Sequence, residues 1–180
     1  MSAAPARQTA ADEAANVAVT VEGGWHPAEA AGPALRAAAA TLAHAAPATS
    51  VEVSLLLTGD ARMRALNRDY RGRNRPTNVL AFPAETAASG VAPRLLGDVV
   101  VAYETAAREA RAAGKPLADH LCHLVVHGTL HLLGYDHGIN AEAEAMEALE
   151  RRILHGLGID DLKSPGVGST APNGNERTAV

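Results

Sequence analysis

Large aromatic residues and cysteine are nearly missing from this chain of 180 residues: Phe82 is the one phenylalanine, Trp25 the one tryptophan and Cys122 the one cysteine, beside three tyrosines. A single thiol excludes an internal disulfide, and a place inside an apolar helical run suits Cys122 to a small core position rather than a reactive or ligating one. The core must then be built mainly from Leu, Val and Ala, and surfaces on which a base could stack are scarce. No apolar run is long enough to cross a membrane. The opening MSAAPARQTAADEAAN has no apolar stretch behind a basic start, so it does not read as a secretory signal, and a cytoplasmic protein with no membrane partner is expected. Positive charge is also short. Against 20 Asp and Glu stand 16 Lys and Arg, a net charge of −4, which argues against a protein that coats nucleic acid indiscriminately by counterion release.

What is present is organised as one domain. Residues 1–15 and 163–180 are rich in Ala, Ser, Gly, Pro and Asn without periodicity and are expected to be mobile tails around a single domain over 16–162. Val17, Val19 and Val21 alternate as a strand, residues 27–46 form an alanine-rich helix beginning at Pro27, and Val51, Val53, Leu55 and Leu57 alternate as a second strand. Asp60 stands where an N-cap would be for a helix over 61–70 that ends near Gly72. NVLAF (78–82) and GDVVVAY (97–103) read as strands. Helices follow over 104–113, closed by Gly114, over 117–133, and over about 140–155. The helix over 117–133 is apolar almost all round and belongs in the middle of the molecule. The expected fold class is α+β: a mixed sheet of about four strands packed with about five helices, with a zincin-like His-x3-His on the central helix.

Four of the eight histidines fall in HLVVHGTLHLLGYDH, residues 123–137. His127 and His131, four apart on a helix, project from one face about one turn apart, as two ligands of one ion must. Gly134 lets the chain leave the helix through a left-handed turn, so that a third imidazole, His137, can return toward the same point. Three protein ligands leave a fourth position open, the arrangement of a catalytic zinc, and one Zn2+ is the expected cofactor. Lone helix histidines are usually satisfied by neighbours or solvent, but three at this spacing in apolar surroundings need partners that a single metal supplies together. His120 reads as solvent-facing or as a supporting residue. No role is assigned to His26, His44, His123 or His155. The same spacing occurs in metzincin peptidases, which carry Glu directly after the first histidine as general base; here Gly128 stands in that place and cannot move a proton.

Arg62, Arg64, Arg68, Arg71, Arg73 and Arg75 make a basic segment inside an acidic chain, and arginine suits phosphate because its fork donates two parallel hydrogen bonds. Arg71, beside Gly72, is expected to reach the metal, with Arg73 and Arg75 as further RNA-binding residues. YRGRNRPTNVLAFP, LLGDVVVAYETA, GKPLADHLCHLVVHG and HGTLHLLGYDH together resemble the YbeY family of bacterial endoribonucleases, over roughly residues 50–157. Ala81 stands where that family usually has serine, and Arg73, Asn74 and Arg75 vary a charged triplet. The resemblance implies a zinc-dependent endoribonuclease, specific for single-stranded RNA, that acts in maturation of the small-subunit ribosomal RNA 3′ end and in ribosome quality control. It implies small-subunit components and an assembly GTPase as partners. It also implies His127, His131 and His137 as metal ligands and Arg71 as the functional arginine, so the catalytic residues are expected to be Arg71 and His127.

The metal would stabilise charge on the scissile phosphate, with water or the RNA 2′-hydroxyl as nucleophile and Arg71 on a non-bridging oxygen. Asp136, beside a ligand, and Asp98, at the start of a strand, are candidates for supporting the metal ligands. Two other classes compete: a non-catalytic ribosome-assembly factor whose metal staples the fold, and a metallopeptidase, against which Gly128 argues.

Overall fold

The computed structural model describes residues 6–12, 15–45, 50–84, 94–135 and 140–159. Five strands, β1 (Ala6–Asp12), β2 (Ala15–Val21), β3 (Val51–Thr58), β4 (Val79–Pro83) and β5 (Arg94–Ala102), form one sheet in the order β1-β2-β3-β5-β4. The inner three strands run parallel and both edge strands antiparallel, so the sheet is mixed, as expected. It has five strands where about four are expected. The addition is β1, in the stretch whose composition suggests a tail; ladder pairing with β2 engages backbone groups and so needs no apolar alternation to announce it.

Parallel neighbours need a crossover, and α1 (Pro27–Ala45) supplies it between β2 and β3. Its small side chains Ala30, Ala34, Ala37 and Ala38 are buried and let α1 lie close against α4 (Leu117–Leu132), which occupies the same face of the sheet. α5 (Asn140–Gly156) covers α4 through Met146, Ile153 and Leu154, all buried. The Cys122 thiol lies 3.6 Å from the Pro33 carbonyl, and burial pushes its pKa up to about 11, as suits a core thiol. The opposite face is a smaller cluster of Met63, Leu80, Val100 and Ala102 beneath α2 (Asp60–Arg71).

Two local features depart from the pattern reading. Asp60 does not cap its own helix: Gly59 is the N-cap, and α2 has no side-chain cap bond. Instead the Asp60 carboxylate accepts from the Thr105 backbone N–H (3.1 Å) and hydroxyl (2.9 Å), while the Glu104 carboxylate accepts from the Asp60 N–H (2.7 Å). Each acid therefore serves the N-terminus of the other's helix, α2 or α3 (Tyr103–Ala112), where unpaired N–H groups and the dipole favour it.

Gly128 has a packing reason. A Cβ there would sit 2.7 Å from Val99 Cγ1 and 3.3 Å from Val79 Cγ2, so glycine allows α4 its close approach to β4 and β5. Gly128→Ala is expected to lower stability by about 1–2 kcal/mol, because overpacking outweighs the roughly 1 kcal/mol of helix propensity that alanine brings. A thermal midpoint at or above that of the wild type would show that Val99 gives way. Among the described residues, no helix is long and apolar enough to cross a membrane.

Candidate active site

The histidines of α4 are brought together as their spacing suggests. His127 and His131 face each other with Nε2 atoms 3.1 Å apart and rings 4.6 Å between centroids. At that distance the two nitrogens either share an N–H hydrogen bond, one donating and the other accepting, or direct both lone pairs at one ion. Two nitrogens each about 2.1 Å from a tetrahedral zinc lie about 3.4 Å apart, and the observed separation is close to that. The remaining ring nitrogens face acceptors. His131 Nδ1 lies 2.9 Å from the Tyr135 carbonyl, a bond that places the proton on Nδ1 and leaves Nε2 to ligate.

That carbonyl arrives because of Gly134. Its φ of +93° turns the chain, with the Gly134 N–H donating to the His131 carbonyl and the Tyr135 N–H to the Leu130 carbonyl, which ends α4 and folds Tyr135 back over His131. His137 and Asp136 lie outside the described residues. Among the described residues no group of three or more His, Cys, Asp or Glu side chains stands ready for a metal, and the converging donors among them are His127 and His131. Two neutral imidazoles directed at one point fit a borderline-soft divalent ion such as zinc.

A third acid, missed in the pattern reading, supports this pair. Glu150 of α5 places Oε1 2.5 Å from His123 Nε2 and Oε2 3.6 Å from His127 Nδ1. Burial alone would raise its carboxyl pKa, but the contacts and charges of His123 and His127 more than offset this and hold it at about 2. The signal was available: Glu150 falls between Met146 and Ile153 on the apolar stripe of α5, where an acid needs a buried partner. His123, given no role from sequence, is that partner. His120 also has one, Glu109 of α3 at 2.9 Å from its Nε2.

The arginine loop is linked to α4 at its far end, through Asn78 and Val79. Gly72, at φ +67°, ends α2, and the Arg73 N–H donates to the Asn67 carbonyl at 3.1 Å. Buried Asn67 then donates its side-chain amide to the Arg75 carbonyl at 2.7 Å, so one α2 side chain fixes the course of the loop. At the loop's far end Asn78 donates to Glu109 at 3.0 Å, the carboxylate that also holds His120, while Val79 packs beside Gly128. Arg71 is half-buried and Arg73 and Arg75 are exposed. Burial, and then the charge of Arg73, lower the pKa of Arg71; the group stays charged, and an anion beside it would relieve both costs. Tyr70, next to it, is 66% exposed with its ring 5.0 Å from that of Phe82.

Asp98 is placed elsewhere. It pairs in register with Phe82, on the α2 face of the sheet, whereas its neighbour Val99 meets Gly128 on the α4 face. Strand alternation thus points Asp98 away from the histidines, and support of the metal ligands from Asp98 is set aside. Burial raises its carboxyl pKa, with a hydrogen bond to Ser54 acting in the opposite direction.

An α+β sheet carrying a His-x3-His helix, together with an arginine-rich loop that leads into its edge strand, defines a class of domain, and comparison with known proteins supplies the family. The family described as Endoribonuclease YbeY matches residues 28–158, and the chain belongs to it. It is 58% identical over 128 residues to Endoribonuclease YbeY of Azorhizobium caulinodans, covering 71% of this chain and 80% of that protein. It is likewise 58% identical over 117 residues to the Rhodopseudomonas palustris (strain HaA2) protein of the same name, covering 61% of this chain and 60% of that one. The solution structure of TM1509 from Thermotoga maritima superimposes with a TM-score of 0.52 at 22% identity, over 79% of this chain and 91% of that one, and shares the fold.

Proposed function

We propose that this chain is a zinc-dependent endoribonuclease that hydrolyses phosphodiester bonds of single-stranded ribosomal RNA, with one ion held by His127, His131 and His137. The observation that carries the metal half is the convergence of His127 and His131 at 3.1 Å, with the other nitrogen of His131 committed to a carbonyl and that of His127 facing a carboxylate. A zinc ion there supplies Lewis-acid stabilisation of phosphoryl charge and a more acidic water. Arg71 binds a non-bridging phosphate oxygen and stabilises charge that develops in the transition state, while Arg73 and Arg75 hold the backbone of the strand. Exposed Tyr70 offers a ring to an unpaired base, which a duplex would not present. The names of the relatives support RNA as substrate, and the position of Gly128 against Val99 leaves no place for the general-base glutamate of a peptidase.

The proposed setting is cytoplasmic maturation of the small-subunit ribosomal RNA 3′ end and ribosome quality control, alongside small-subunit components and an assembly GTPase. Replacing Arg71 with Ala is expected to slow cleavage of a defined single-stranded RNA by about 10²-fold or more while zinc stoichiometry stays at the wild-type value. Unchanged cleavage by that variant would favour a ribosome-assembly factor whose metal is structural. The ends of the products identify the nucleophile: a 5′-phosphate with a 3′-hydroxyl reports water, and a 2′,3′-cyclic phosphate reports the RNA 2′-hydroxyl.

A further inference from the structure

Glu150 is 7% exposed, and a buried carboxylate is costly unless its oxygens are engaged. Both face histidine nitrogens of α4: Oε1 toward His123 Nε2 at 2.5 Å and Oε2 toward His127 Nδ1 at 3.6 Å. The first contact is a close ion pair without hydrogen-bond geometry at Oε1, and it leaves the second oxygen on the His127 side. At 3.6 Å the contact with His127 is electrostatic rather than a hydrogen bond, and a carboxylate charge on that side favours a proton on Nδ1 of His127 and leaves the Nε2 lone pair for the point shared with His131. The equivalent acceptor for His131 is the Tyr135 backbone carbonyl, which a side-chain substitution does not remove.

We infer that Glu150, anchored by His123, is a positioning residue that fixes the orientation and tautomer of His127 and thereby sets the affinity of the site for its metal. The inference rests on the metal-centre reading above. It gives α5 a functional reason to dock: Met146, Ile153 and Leu154 bury the helix against the core, and that docking carries the carboxylate to the ligand. His123 acts at one remove, by holding the carboxylate rather than by touching the metal.

The test is competitive zinc titration of the metal-stripped full chain against a chromogenic chelator, with cobalt absorption as a second readout and circular dichroism as a check on folding. Glu150→Gln keeps the shape and loses the charge, and it is expected to weaken zinc binding by about 10- to 100-fold and to alter the cobalt spectrum. His123→Ala is expected to weaken binding by a smaller factor in the same direction. A folded Glu150→Gln protein that binds zinc as tightly as wild type, with the same cobalt spectrum, overturns the inference and leaves the metal centre standing. If wild type itself takes up no zinc, the metal-centre reading fails instead. Should Glu150→Gln not fold, nitrogen-detected NMR of the wild-type histidines decides: the neutral imidazole of His127 in the metal-free protein is expected to carry its proton on Nδ1, and a neutral ring protonated on Nε2 instead overturns the proposal.

Discussion

His127→Ala is expected to abolish stoichiometric zinc binding and to slow RNA cleavage by at least about 10²- to 10³-fold, a loss of about 3–4 kcal/mol of transition-state stabilisation. The reasoning is geometric. His127 provides one of the two Nε2 atoms that converge at 3.1 Å, and the remaining imidazole has no second nitrogen on α4 to share an ion with. The side chain is 29% exposed, so its loss leaves little cavity and the fold should survive. His131→Ala should cost the metal equally but stability more, since His131 is 7% exposed and its bond to Tyr135 ties down the end of α4. Zinc stoichiometry measured beside circular dichroism separates the two effects. A His127→Ala protein that retains one zinc and wild-type cleavage would remove this residue from the site.

Gly97→Ala is expected to be the most damaging single-methyl change, costing about 3 kcal/mol or more and lowering the thermal midpoint by roughly 10 °C. Gly97 has φ +138°, and a Cβ there would stand 2.1 Å from the Phe82 carbonyl oxygen and 2.9 Å from the Ala84 nitrogen. Both are backbone atoms at the end of the β4–β5 ladder, where Gly97 pairs with Pro83, so no rotamer change can make room. On its other side β5 shifts register against β3 between Glu52 and Val53, and glycine allows the strand to bend there. β4 follows directly from the arginine loop, so a displaced ladder should also weaken RNA binding. Thermal unfolding followed by circular dichroism checks the stability, and a midpoint within about 2 °C of wild type would mean that the strand end is free to shift.

The parts of the site that follow from local periodicity were legible in the sequence. Helical spacing alone places His127 and His131 together, and Gly134, Gly114 and Gly72 each stop a helix with positive φ where the pattern stops. What could not be read is whatever depends on which elements meet. Glu150 lies nineteen residues beyond His131, and only the docking of α5 on α4 brings it to His123 and His127. Asp60 has the chemistry of a cap, but its partner helix was decided by tertiary packing. Asp98 sits beside valines of the α4 face, yet period-two alternation turns it to the α2 face, which needs the sheet's orientation to be known. Asn67 resembles any polar helix residue until the loop it ties, at Arg75, is seen to fold back over it.

The link between the metal and the cutting of RNA is tested most directly by stripping the wild-type chain of metal and measuring the cleavage rate of a defined single-stranded RNA as zinc is returned. The expected curve starts near zero and saturates at one zinc per chain, and His127→Ala gives no rise. Full cleavage by the stripped protein, or a zinc response that persists unchanged in His127→Ala, would contradict a single catalytic ion at this histidine pair.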